Sequence, residues 1–287
     1  MRYVTAAHHH VLPSRAPTRV PRDRFVTYQR DLHRMANQVL DEQSLLSGDQ
    51  YTYAELADAL LERVGSEVLP DLDVLVTSYW TPEFDPEFSA FGPYLHHRWS
   101  LKCHSFDAID QGSLSPTLAL SVLADFLEAD DEANNGLLLG VEQTTMPHAV
   151  GANLPRPRQS SAGAIRLSRN QEGAKAEILA TAWFGEQQVL QTEFRLDHTL
   201  AAWCTEFDIV MEDVTLVIRR DTFLYRSLQY WRDRQPGRTW KFEYLSPTPS
   251  CMHVFEWLAA EDGSGWYVFV DEDVESLAAA AVLIRVP

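Results

Sequence analysis

Residues 102–142 constrain the fold more than any other part of the chain. Cys103-His104-Ser105-Phe106-Asp107 reads as a strand, and Ala108-Ile109-Asp110-Gln111-Gly112-Ser113 as a tight turn of small and polar residues. The mostly apolar run 114–128 reads as a buried helix, and Leu137-Leu138-Leu139-Gly140 opens a second strand. A chain containing this unit builds a sheet covered by helices.

The flanking segments extend the pattern. Tyr3-Val4 and Val11-Leu12, around His8-His9-His10, suit a first strand ended by Pro13, and the Pro- and Arg-rich residues 13–24 form a loop. Neighbours on a strand face opposite ways, so His8 and His10 are the one pair of these histidines able to converge on a metal; a solvated or partner-facing edge is the stronger expectation. Tyr28, Leu32, Met35, Val39 and Leu40 recur at helical spacing and predict one helix over 25–46. Thr52 with Glu55 is a capping box, opening a second helix with Leu56, Leu60, Leu61 and Val64 on one face. Asp73-Val74-Leu75-Val76-Thr77-Ser78 has the continuous apolar, β-branched character of a central parallel strand. Pro82, Pro86 and Pro93 punctuate a long loop with room for one short helix. Its Phe84, Phe88, Phe91 and Trp99 are too apolar to leave in water, and lie on a core, a pocket or a partner.

Beyond the loop at 144–161, residues 161–167 and 176–184 read as two adjacent strands with a turn at Gly173. Helices follow at 196–207 and 223–231, with a strand at 214–218 between them. Residues 266–270 and 278–286 are strands joined by the acidic turn Asp271-Glu272-Asp273. The alternation predicts an α/β protein with a largely parallel sheet.

Composition narrows the function. A chain of 287 residues with 45% apolar content buries a substantial core, as one large domain or two halves. Its 24 Lys and Arg against 41 Asp and Glu leave a net charge of −17, which opposes nucleic acid and anionic membrane surfaces. Arg219-Arg220 and the cluster at 232–238 are too short to reverse that. Cys103, Cys204 and Cys251 are odd in number, widely spaced and without a CxxC pair, so neither a disulfide framework nor a thiolate zinc site is indicated. Residues 1–19 lack a signal-peptide core, and no apolar run reaches the roughly 18 residues of a membrane span. A cytoplasmic protein without metal or organic cofactor is the expectation.

The ordered series is recognisable. Asp73-Val74-Leu75-Val76-Thr77, a Pro-containing loop, Phe106-Asp107 and a small-residue turn lead to Leu118-Ala119-Leu120-Ser121-Val122 and Leu137-Leu138-Leu139-Gly140-Val141-Glu142. Ser161-Ala162-Gly163-Ala164-Ile165-Arg166-Leu167 and Ala279-Ala280-Ala281-Val282-Leu283-Ile284-Arg285 complete it. Together these resemble the thiolase-like condensing enzymes, ketoacyl synthase III most nearly, over 52–167 and the last twenty residues and only thinly over 183–260. The resemblance implies an α/β, thiolase-like fold of two βαβαβ-type halves, 1–172 and 173–287, the second shortened. Mixed sheets and helices then stack in α-β-α-β-α layers. It also implies dimers across the central strand of the first half. Family chemistry uses a cysteine thiolate at a helix start to take the acyl group, and a His and an Asn to hold a malonyl carbonyl.

By the same resemblance the cysteine position falls on Gly112 or Ser113, the His position on Arg219 or Arg220, and the Asn position on Pro247 in Ser246-Pro247-Thr248-Pro249. All three roles are unfilled, and Cys103 lies back on the preceding strand. The chain is similar to the inactive subunits of heterodimeric condensing enzymes, as in 2-alkyl-4-quinolone synthase, down to Asp110 and Ser113 in the emptied turn. That similarity implies pairing with an active ketoacyl synthase III-like paralogue whose acyl pocket this chain shapes, with Phe84 or Phe88 reaching across. Acyl carrier protein or acyl-CoA would be received by that partner, since an acidic chain suits an acidic carrier poorly. Two alternatives stand beside it. Ser113 could be an acyltransferase nucleophile with a base among His104, His148, His198 and His253, the last foremost. The chain could also be a homodimeric binder of an acyl chain without turnover.

Overall fold

The computed structural model describes residues 2–17, 20–81, 83–85, 90–109, 111–152, 157–190, 192–232, 241–248, 250–273 and 275–287. The first half runs β1 (Arg2–Val11), α1 (Asp23–Met35), α2 (Tyr53–Val68), β2 (Val74–Tyr79), α3 (Phe91–Arg98), β3 (His104–Ala108), α4 (Ser115–Ala129), β4 (Asn135–Glu142) and β5 (Ser161–Ser168). The second runs β6 (Ala176–Phe184), α5 (Glu186–Val189), α6 (Thr192–Glu206), β7 (Val214–Ile218), α7 (Phe223–Arg232), β8 (Lys241–Tyr244), α8 (His253–Ala260), β9 (Gly265–Glu272) and β10 (Ala279–Val286).

Local chemistry explains where elements begin. Glu55 N–H donates to the Thr52 hydroxyl at 3.2 Å and Thr52 N–H to the Glu55 carboxylate at 2.8 Å, so the capping box satisfies two donors at the start of α2. Helix α1 ends earlier than its periodicity predicts. The chain leaves it at Ala36 and turns through Asn37 at φ 55°, and residues 42–46 form a separate 3-10 turn. The face of α1 is also reversed from expectation: Phe25 and Gln29 are buried, while Tyr28, Leu32 and Met35 face solvent, Met35 at 81% exposure.

All ten strands form one sheet in the order β3-β2-β4-β5-β1-β6-β10-β9-β7-β8. Only its ends are parallel, where β2 lies between β3 and β4 and β7 between β8 and β9. The strands between pair antiparallel. The expected largely parallel sheet is thus corrected, because a connection such as the turn from β9 to β10 brings the chain straight back, whereas parallel neighbours need a crossover. Strands β5 and β6 are not adjacent either; β1 inserts between them. Advancing each strand number by five converts β3-β2-β4-β5-β1 into β8-β7-β9-β10-β6, so both ends of the sheet repeat one connectivity.

Three apolar clusters stack the layers. Helices α2 and α3 cover one face through Leu56, Leu60, Phe91 and Leu95 against Leu137 and Leu139. Helices α4 and α8 fill the centre, where Leu120, Leu123 and Phe255 meet Leu138, Val217 and Val282. Helices α6 and α7 cover the far side through Leu200 and Leu228 against Leu216 and Ile218. Strands such as β4 and β10 are apolar on both faces because both are covered. Helix α8 sits so close to the sheet that a Cβ on Gly140 or Gly163 would lie 2.3 Å from the Phe255 ring. Among the described residues no helix is long and apolar enough to cross a membrane.

Candidate functional site

The turn before α4 meets the end of β9 and the residues that follow it. Gly112 sits at φ 57°, a conformation that disfavours any side chain, and a Cβ there would fall 2.3 Å from Asp273 Oδ1. Ser113 follows in the short 3-10 turn Gly112–Leu114 and is 0% exposed. Its backbone N–H and its hydroxyl both donate to Asp273 Oδ1, each at 3.2 Å. Ser276 N–H donates to the other carboxylate oxygen of Asp273 at 2.8 Å, and Asp273 N–H donates to Ala278 O at 2.9 Å. One turn into α4, the Thr117 hydroxyl donates to Asp271 Oδ2 at 3.0 Å.

The acidic triplet is buried. Asp271 and Glu272 close β9. Burial pushes the Asp271 carboxyl up to about 6, although Arg219 and Thr117 pull the other way. Glu272 accepts the N–H groups of Phe223 and Leu224 at 2.8 and 2.7 Å, capping α7.

Of the two arginines after β7, Arg219 points inward, at 1% exposure, and Arg220 lies outside. Arg219 Nη2 donates to Glu272 O at 2.9 Å, and its Nε is 3.6 Å from Asp221 Oδ1. Its Nε and Nη1 make no hydrogen bond among the described residues. Arg220 instead stacks its guanidinium 3.8 Å from the Tyr244 ring centroid. Of the two candidates, Arg219 and Arg220, the one directly after β7, Arg219, faces the interior.

His253 opens α8 at 1% exposure, and among the described residues neither ring nitrogen makes a hydrogen bond of good geometry, although the Thr248 backbone interacts with the ring. Burial and the nearby Arg219 hold its pKa down at about 3, so the ring is neutral. It borders a cavity of about 160 Å³ together with His9, Glu142, Arg158, Thr248 and Ser250. Glu142, at the end of β4, accepts the Ser250 hydroxyl and the Cys251 N–H, both at 2.7 Å, and burial pushes its carboxyl up to about 7. Pro247 is exposed at the outer end of this loop.

Several sequence expectations are not brought together. Ser113 bonds to Asp273 rather than to His253. His104 and His198 are exposed, and His148 is engaged by Met146 O at 3.0 Å and lies 3.5 Å from Asp41. His8 pairs with Glu67 at 3.0 Å on one face of β1, and His9 faces the central cavity on the other.

Three aromatic side chains of this loop pack on their own chain. Phe84 packs against Phe25, Leu40 and Leu45. Phe91 packs against Tyr53 and Tyr79. Trp99 lies on the α2 layer and donates its indole N–H to Asp58 at 3.0 Å. Phe88 and Asp110 lie outside the described residues. Nothing in the residue pattern marks Asp273 or Glu142 as interior groups beyond their place at strand ends, whereas Arg219 stood among the positions named by the resemblance.

No protein-family model matches the chain, and no curated protein sequence does. Solved structures do match it in fold. A tetronic acid condensing enzyme, AbyA1, superposes with a TM-score of 0.60 at 13% identity, over 99% of this chain and all of that one. The 3-oxoacyl-[acyl-carrier-protein] synthase III of Aquifex aeolicus VF5 gives 0.56 at 15% identity, over 99% and 100%. The acyltransferase ChlB3 gives 0.62 at 13% identity, over 99% and 97%. The chain has the thiolase-like α/β fold of the ketoacyl synthase III-type condensing enzymes.

Proposed function

We propose that this chain is a non-catalytic ketoacyl synthase III-like subunit. It pairs with an active condensing-enzyme paralogue and shapes that partner's acyl pocket, in the biosynthesis of polyketide, alkylquinolone-type or other fatty-acid-derived secondary metabolites. In this reading residues 1–172 and 173–287 are the two thiolase-like halves, and acyl carrier protein or acyl-CoA is received by the partner. The observation that carries it is the nucleophile turn, where a fully buried Ser113 is bound to Asp273 and no histidine reaches it among the described residues. The ionic Arg219 and the exposed Pro247, at the other two family positions, support the same reading.

Two surfaces suit the partner. Strand β3 is an outer edge of the sheet, with His104, Ser105 and Asp107 exposed, and an edge strand offers unpaired backbone groups to another chain. The stripe Tyr28, Leu32 and Met35 on α1 continues through Val39 to Val150, whose N–H donates to Val39 O at 2.8 Å, and all five are exposed. Incubation of the purified chain with acyl-CoA thioesters is expected to leave its intact mass unchanged. An adduct that Ser113→Ala abolishes would overturn the reading. Co-expression with the active paralogue is expected to yield a stable complex, and two chains that purify apart would overturn the pairing.

A further inference from the structure

Asp273 touches the emptied turn in a way that the loss of a cysteine does not require. Gly112 leaves room for its carboxylate, and Ser113 gives it both a backbone N–H and a hydroxyl. Ser276 N–H holds the carboxylate from behind, and the Asp273 backbone N–H donates to Ala278 O. The Asp273 carboxylate and Ser113 lie 160 residues apart in the chain and are both buried.

We infer that Asp273 is a built-in occupant of the nucleophile turn, keeping it closed to acyl groups whatever side chain stands at position 113. This rests on the non-catalytic reading and adds the agent that enforces it. Three effects act in the same direction. A thioester carbonyl has to come within roughly 3 Å of the attacking atom, and a carboxylate oxygen already lies 3.2 Å from the Ser113 hydroxyl. An N–H able to stabilise a developing oxyanion is already used by that oxygen. A carboxylate beside the reacting carbon also opposes the negative charge that builds up there.

The test restores a nucleophile and then removes the occupant. S113C, S113C/D273N and S113C/D273G are compared in the full chain, each first shown by circular dichroism and a cooperative melt to be folded. Alkylation by iodoacetamide is followed at position 113 by peptide mass, with buried Cys251 and half-buried Cys103 as internal references. Acyl transfer from octanoyl-CoA is followed by intact mass. In that transfer the thiolate attacks the thioester carbonyl, a new S–C bond replaces the one to coenzyme A, and the thiol proton leaves with the coenzyme A thiol.

S113C and S113C/D273N are expected to label as slowly as Cys251, since a carboxamide fills the same space. S113C/D273G is expected to label roughly tenfold faster or more and to take up the octanoyl group. The inference is overturned if S113C alone labels as fast as Cys103, or if opening position 273 changes nothing. Should the glycine variant not fold, S113C/D273S opens the site with less backbone freedom, and the S113C arm decides by itself. Rapid labelling of S113C beside an adduct-free wild type would remove Asp273 as the agent and leave the non-catalytic reading standing.

Discussion

Glu142 has both carboxylate oxygens engaged, yet burial holds its pKa at about 7, above the usual glutamate value. A carboxyl whose folded pKa is raised binds its proton more tightly in the native state. Its contribution is complete below the unfolded value of about 4.5 and is lost as pH climbs through 7, a swing on the order of 3 kcal/mol. His253, held at about 3, works with the opposite sign: its contribution is complete above about 6.5 and is lost as pH falls toward 3. Glu142→Gln removes only the first. Its melting temperature relative to wild type is therefore expected to rise between about pH 5 and about pH 8, as read by thermal melts across that range. A constant difference would place the Glu142 titration elsewhere. Carboxylates are where sequence reading fell short. Asp271, Glu272 and Asp273 read only as an acidic turn between two strands, and three adjacent acids rarely leave water. The structure buries them by giving them Thr117, Arg219, Phe223, Leu224 and Ser113 as partners, none near them in sequence.

Helix α8 lies across β4 and β5 at a distance set by glycine. Gly163→Ala would drive a methyl into the Phe255 ring and is expected to cost about 1–3 kcal/mol in denaturant unfolding. Gly92 in α3 has open space around its Cβ position, so Gly92→Ala is expected to leave stability unchanged or raise it by up to about 1 kcal/mol. The two substitutions separate packing from helix propensity. The element that opened the sequence reading folds as its pattern implies, β3, a tight turn, α4 and β4, since a long apolar helix between strands has few other solutions. Helix α1 shows the limit of periodicity: the spacing of Tyr28, Leu32 and Met35 identified a helix but not which face would be covered. Strand β8 and helix α8 went unread, the first because it is only four residues long and the second because Pro247 and Pro249 obscure its start.

At the scale of the molecule, the layering was legible because strands apolar on both faces need helices on both sides. The strand order was not, because it depends on which segments return without a crossover. The exposed α1 stripe belongs to this scale too. Met35→Glu and Leu32→Glu are expected to leave the melt within about 0.5 kcal/mol of wild type, since neither side chain is buried. Complex formation with the active paralogue is expected to fall sharply, and size-exclusion chromatography of the mixed chains reads both. The place of β1 carries a consequence for how the protein is made. This strand is synthesised well before its neighbours, β5 and β6, residues 161–168 and 176–184. Until those residues are made it waits with both hydrogen-bonding edges unsatisfied, a nascent strand open to wrong pairing. Its run of three histidines, more hydrophilic than the valines and leucines of β2 and β4, keeps that waiting segment from being a sticky one.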